Sequence, residues 1–179
     1  YFCNMSKLQH KGRSLVEYAK IFKHFTVNAS IDAMGKRLEL LRNGSEWETV
    51  LANLNTLRDN NVSLKIWITV GNINAHHVPD LFQFMLDNKF IVGNNFEVST
   101  LNEPRWMNPK VMPQVLKDQI TERYKTFIKH IQDSDYDVDK KMLEQRFDNF
   151  IQFMNTGPMP EPVDGFVYKN RHYDSLRNQ

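Results

Sequence analysis

The sequence predicts an α/β fold: a partial parallel (β/α) barrel half of about four strands, followed by carboxyl-terminal helices. Two observations carry the prediction. Four short runs rich in β-branched and aromatic residues alternate with segments of helical periodicity. The units recur at roughly 25 to 40 residues, the size of a right-handed βαβ crossover. After residue 101 the alternation stops and two long amphipathic patterns take over.

The strands are expected at residues 1–4, 25–31 (FTVNASI), 64–70 (LKIWITV) and 96–101 (FEVSTL). The first intervening helix, residues 15–22, places Leu15, Tyr18, Ala19 and Phe22 on one face. The second, 46–57, repeats Trp47, Val50, Leu51, Leu54 and Leu57, with Ser45 as its N-cap and Asn60-Asn61 as its stop. The third, 78–86, has Pro79 in its first turn, where a missing N–H costs nothing. Pro104, Pro109 and Pro113 then mark a loop. Leu116, Ile120, Tyr124, Phe127, Ile128 and Ile131 make the apolar stripe of a helix over 115–131, and a further helix spans 141–154. Prolines at 158, 160 and 162 break the pattern again. Residues 1–110 are therefore expected to form the barrel units. Residues 111–179 are expected to form a helical closing segment on the same core.

Composition excludes several classes. The chain has 179 residues, 41% hydrophobic and 25% charged, with a mean hydropathy of −0.55. No apolar run approaches the ~20 residues that span a bilayer. The 23 basic and 21 acidic residues are nearly balanced, so no nucleic-acid footprint is expected. One cysteine, Cys3, cannot form an internal disulfide or ligate an iron–sulfur cluster alone. No signal-peptide layout is visible, and a cytoplasmic location is expected. The start at Tyr1, with the apolar pattern beginning at once, reads as a cut chain.

In parallel sheets and barrels function collects at the carboxyl ends of the strands. Those ends carry Asn4 and Ser6, then Ser30 and Asp32, then Asn72 and Asn74, and finally Asn102-Glu103-Pro104-Arg105. Strand alternation puts Ser30 and Asp32 on one side. A hydroxyl beside a carboxylate suits a ribose diol; alternatively Asp32 caps the turn at Met34-Gly35. Arg42 can clamp a carboxylate bidentately or serve in a surface ion pair.

Ser30, Asp32, Arg42, Gly44, Ser45, Trp47, Asn53 and Leu54 resemble the fourth-strand and fourth-helix region of the radical S-adenosylmethionine enzymes. The strand ending at Asn4 is similar to the family's preceding strand, and the Val70-Gly71-Asn72-Ile73-Asn74 stretch to the end of its next one; the prolines at 104, 109 and 113, and Asp174 with Arg177, resemble later parts of the subgroup with a shortened auxiliary (twitch) region. The family's C-x3-C-x2-C cluster loop is absent, and Ala33 stands where the family usually has Gly. The resemblance implies a chain that starts at the third strand and lacks the first two βα units. It implies that Asn4, Ser30, Asp32, Arg42, Asn72 and Asn74 bind S-adenosylmethionine. Ser30 and Asp32 would face the ribose, Arg42 the methionine carboxylate, and Asn72 or Asn74 the adenine edge. The four-iron four-sulfur cluster would belong to the missing amino-terminal part. The parent would cleave S-adenosylmethionine reductively and take hydrogen from an unknown substrate, a peptide or small molecule, while this chain alone is inactive. Self-association through an open sheet edge, or cover by the carboxyl-terminal helices, is expected.

Two other readings stay open: a non-catalytic binding or scaffold domain derived from that barrel, and a (β/α)-barrel glycosidase with Glu103 as acid/base, which needs a second carboxylate about 5 Å away. Asp133, Asp135, Asp137 and Asp139 with Glu144 imitate a calcium loop, but Val138 stands where the sharp turn needs Gly. His76 and His77 are expected to point apart, and Trp47 and Trp67 to lie in the core.

Overall fold

The β-branched runs form one four-stranded parallel sheet. The computed structural model describes residues 1–157 together with residues 167, 168, 171, 172 and 175. The proline break after residue 157 and the Asp174 and Arg177 positions fall outside these. The strands are β1 (Phe2–Cys3), β2 (Gln9–His10), β3 (Arg13–Ser14), β4 (Thr26–Ser30), β5 (Ser63–Val70) and β6 (Phe96–Thr100). The helices are α1 (Leu15–Ile21), α2 (Lys36–Leu41), α3 (Trp47–Asp59), α4 (Val78–Asp87), α5 (Gln114–Gln132) and α6 (Lys140–Asn155). The sheet order is β1-β4-β5-β6, and every pair is parallel. Each strand pairs with the next parallel strand of the chain, so the sheet is an arc of a barrel and has no reversal of strand order.

Register divides the sheet into two unlike faces. Ala29 lies opposite Ile66, and Ile66 opposite Phe96. With Val27, Ile68 and Val70 they form the buried outer face. That face packs on Val50, Leu54 and Leu57 of α3 and on Leu81, Phe82 and Met85 of α4. Burying one such side chain contributes about 1.5–3 kcal/mol. The alternate residues, Phe2, Asn28, Ser30, Lys65, Trp67, Thr69, Glu97 and Ser99, share the inner face. Trp67 is therefore not core. Its Nε1 donates to Asn28 Oδ1 (3.1 Å), and the Lys65 ammonium lies 5.2 Å from its ring. Trp47 is partly buried and meets Phe84 edge-on.

The closing helices pack at the β6 end. Phe82, Phe96, Tyr124, Phe127, Phe147 and Phe150 interlock with ring centroids 4.8–6.4 Å apart. Tyr124 is fully buried, its hydroxyl donating to Ala75 O (3.0 Å), and burial pushes its phenol well above the ordinary range. Arg146 of α6 reaches round the edge of β6 to Glu97 (2.9 Å). The opposite edge, β1, has only two residues, and Phe2 is 65% exposed. Among the described residues, α5 and α6 thus cover the β6 end and not the β1 edge.

Three local features differ from the expectations. A hairpin, β2–β3, turns through Lys11 and Gly12, both at positive φ. The short helix α2 starts at Gly35, also at positive φ. Glu46, not Ser45, is the N-cap of α3. Ser45 is buried instead, its Oγ 3.1 Å from Ser6 Oγ, so the hydroxyl ties the β1 loop to the α3 loop.

Candidate functional site

The carboxyl ends of β4, β5 and β6 enclose a cleft of about 260 Å³, lined by residues including Asp32, Leu41, Thr69, Gly71, Asn74 and Met107. Three of the predicted residues meet at its rim. Arg42, the C-cap of α2, folds back over the end of β4. Its Nη2 donates to Ser30 Oγ (2.7 Å) and to Asp32 Oδ2, and its Nε donates to the same carboxylate oxygen (3.1 Å). The other Asp32 oxygen accepts from Thr69 N–H (2.8 Å). Strand alternation brings Ser30 and Asp32 to one side, and the short helix returns Arg42 to them. Asp32 therefore fixes the guanidinium and the end of β5 together. Nε and Nη2 are used in this way, and Nη1 makes no hydrogen bond to a described residue.

Asn74 is 3% exposed and is consumed by backbone. Its Nδ2 donates to Asp32 O and Thr69 O, both at 2.8 Å, and its Oδ1 accepts from Gly71 N–H at 2.8 Å. It knits the ends of β4 and β5 into one cleft floor. Asn72 sits at the same end. Its N–H donates to Met107 O (3.0 Å), and its Nδ2 donates to Trp106 O (2.8 Å). Its Oδ1 is buried with no hydrogen-bond partner. Leaving a buried acceptor unpaired costs about 1–3 kcal/mol. Gly71 lets the strand end and the 105–107 turn approach. A Cβ there would lie 3.1 Å from both Leu101 Cδ2 and Met107 O.

Asn4 stands apart from this group. It is exposed at the end of β1, and its Oδ1 accepts from Ser6 N–H (3.1 Å). Among the described residues it makes no bond to Ser30, Asp32 or Arg42. Glu103 points outward; its side chain is 72% exposed and lies 3.6 Å from Arg105. His76 and His77 do not point apart. They lie on a 3₁₀ turn that leads into α4, and their rings meet edge-on at 4.8 Å. Burial chiefly, with the nearby Arg37 and His76 charges, holds His77 below the ordinary histidine range, against an opposing bond to Asp80. Asp139 caps α6, accepting from Met142 N–H (2.9 Å). Cys3 is partly buried, with Sγ 3.2 Å from Met5 Sδ, and burial raises its thiol.

Sequence reasoning missed Gly71, Met107 and the Asn74 clamp. A glycine directly after a run of apolar strand residues is the signal that could have marked the close approach. The roles of Met107 and Asn74 depend on pairings across ~35 to 40 residues that no local pattern carries.

No protein-family model and no curated protein matches the sequence. Solved structures do. One is titled native anSMEcpe with bound AdoMet and Kp18Cys peptide, with a TM-score of 0.53 and 12% identity over 76% of this chain. A second, native anSMEcpe with bound AdoMet, gives a TM-score of 0.52 and 16% identity over 77% of this chain. Over that span the chain has the fold of anSMEcpe. It spans 39% of the length of those solved chains. Among the described residues no helix is long and apolar enough to cross a membrane, and no group of three or more metal-binding side chains occurs.

Proposed function

We propose that the cleft is a subsite for S-adenosylmethionine in a protein of the radical S-adenosylmethionine type. The observation that carries this reading is the guanidinium of Arg42, pinned by Ser30 and Asp32 at the cleft rim. The fold it sits in is one whose solved examples hold AdoMet. The donor set fits the ligand. Arg42 offers Nη1 to a methionine carboxylate. Asn72 stands between the cleft-lining Gly71 and Ile73, and a turn of its side chain would bring its unpaired Oδ1 to an adenine amino group, while Ser30 and Asp32 stand where a ribose hydroxyl can bond. Asn74, with every polar atom committed to backbone, holds the floor and does not contact the ligand. A cleft of about 260 Å³ is below the ~300–1,000 Å³ of whole-ligand pockets, so this chain grips part of the molecule.

The residues do not fit an iron–sulfur cluster. These 179 residues contain one cysteine, and its thiol is packed against Met5. The reductive cleavage that the resemblance implies is therefore not assigned to this chain. Its residues bind and orient.

Titration calorimetry of S-adenosylmethionine against the chain tests this. Saturable binding is expected, weakened at least about tenfold in Arg42→Ala and in Asn72→Ala, each removing one charge-assisted or otherwise unmade bond. Saturable binding that is indifferent to both substitutions, or no binding to the folded wild type, refutes the reading.

A further inference from the structure

We infer that the carboxyl end of α1 and the tip of the β2–β3 hairpin form a docking surface for an anionic membrane, with Ile21 and Phe22 entering the lipid between flanking lysines. The inference does not depend on what the cleft binds.

The near-balance of charge over the whole chain hides an asymmetry. Residues 1–31 hold Lys7, Lys11, Arg13, Lys20 and Lys23 against a single acid, Glu17. The rest of the chain holds 18 basic and 20 acidic residues. Such a skew marks a surface that meets a polyanion or an anionic membrane. All five cations are exposed, and none makes a side-chain ion pair to a described residue. Glu17 is engaged elsewhere: its carboxylate accepts from Ser14 N–H (2.7 Å) in the capping box at the amino end of α1.

Two segments bring these charges together. Lys11 and Gly12 make the hairpin turn, both at positive φ, so an ammonium stands at its tip with Arg13 beside it. The hairpin lies against α1: Tyr18 OH donates to His10 O (3.0 Å), and the two rings are 6.3 Å apart. Lys20, Ile21, Phe22, Lys23 and His24, all exposed, follow on the last turn of α1 and just beyond it. Ile21 comes four residues after Glu17, on the solvent side of α1 and away from buried Leu15. It is 56% exposed, and Phe22 is 54% exposed, so core packing accounts for neither tip.

The chemistry favours lipid over other partners. An aliphatic tip beside an aromatic one, flanked by lysines, suits interfacial insertion: the apolar ends enter the acyl boundary and the ammonium groups reach anionic headgroups. Nucleic acid asks for ring faces free to stack on bases. Here Phe22 turns its faces to Tyr18 (6.1 Å between centroids) and Phe25 (6.3 Å). A second copy of the chain would set like charges against like. Ile21 and Phe22 come just before Thr26, where β4 starts, so the surface lies at the amino ends of the strands. A membrane there leaves the cleft, at the carboxyl ends, open to solution.

The test is co-sedimentation of the whole chain with vesicles of phosphatidylcholine alone, and of phosphatidylcholine and phosphatidylserine in equal parts. Fluorescence anisotropy of a labelled oligothymidylate runs beside it at the same salt. Binding to the anionic vesicles only is expected, falling as salt rises. A lysine near such a surface is worth about fivefold, and its reversal costs repulsion as well, so Lys20→Glu with Lys23→Glu should weaken binding at least about a hundredfold. The charge-matched pair Lys125→Glu with Lys129→Glu, on α5, should leave it nearly unchanged. Ile21→Ser removes an apolar tip without touching charge and should weaken binding about tenfold. The substituted side chains are all exposed, so the variants are expected to fold. Equal binding to both kinds of vesicle, binding to neither, or an equal loss in the α5 pair overturns the proposal. Capture by the oligonucleotide alone also overturns it and passes the surface to nucleic acid. Should both vesicles and oligonucleotide bind, Ile21→Ser decides: a loss confined to vesicles supports the proposal, and no such loss overturns it.

Discussion

Asn74→Asp isolates the cleft floor with almost no change of shape. In the wild type the Asn74 amide donates to Asp32 O and Thr69 O while its oxygen accepts from Gly71 N–H. The substitution keeps the acceptor and removes both donors. Two bonds of about 1 kcal/mol net are lost, and two buried carbonyls are left facing a carboxylate, which costs more. The sum is a destabilisation of about 3–5 kcal/mol, a large fraction of the ~5–15 kcal/mol of a typical domain. The midpoint should fall by about 10 °C or more in a chain of this size. Acid should partly restore it. The introduced carboxylate is raised in the folded state above its unfolded value of about 3.9, because it faces oxygens and no cation. A raised folded pKa gives stability that is fully present below the unfolded pKa and lost as pH rises through the folded one. The gap between variant and wild type should therefore narrow as pH falls from neutrality toward 4. Urea unfolding followed by circular dichroism across that range measures it. A variant as stable as wild type at neutral pH, or a gap that stays constant with pH, would refute the clamp.

Further outcomes follow from the same geometry. Gly71→Ala should cost about 1–3 kcal/mol, because its Cβ meets Leu101 and a backbone oxygen that cannot swing away; denaturant midpoints measure this, and a neutral result would show that the 105–107 turn is not fixed. Glu97→Gln leaves Lys65 and Arg146 facing each other on the inner face. These groups are partly exposed, so the loss should be only about 1 kcal/mol by urea unfolding, and larger at low salt than at high salt. His77 is depressed below its ordinary 6.5, so its contribution to stability is present above that value and lost as pH falls through it and below. His77→Gln should flatten the stability profile there, as read by thermal unfolding at stepped pH.

The fold was legible where periodicity is strong. The FTVNASI, LKIWITV and FEVSTL runs became β4, β5 and β6 within a residue or two. The stripe from Leu116 to Ile131 became α5. Illegibility followed three physical causes. The β2–β3 hairpin has two residues per strand, too few for an alternation to register. Trp67 sits at a polar position of an otherwise clear alternation, and its size argued for the core when its neighbours Lys65 and Thr69 argued against it. Ser45 has the residue type of a cap, but a partner across the fold, Ser6, claims its hydroxyl. In the site, the meeting of Ser30, Asp32 and Arg42 followed from alternation plus a short return. Asn74 matched a ligand-binding pattern, yet its bonds run to backbone carbonyls that only the parallel pairing of β4 and β5 brings near.

Arg42 also gives α2 a property that its sequence lacks. A six-residue helix that begins on a glycine is far below the length at which helices persist in water. What holds its far end is the guanidinium of its own C-cap, anchored on Ser30 and Asp32. Winding of this helix and the placement of the guanidinium are thus coupled. A guest that bonds Nη1 leaves the contacts of Nε and Nη2 with Ser30 and Asp32 in place, so the helix acts as a reporter whose amide protection rises with the guest.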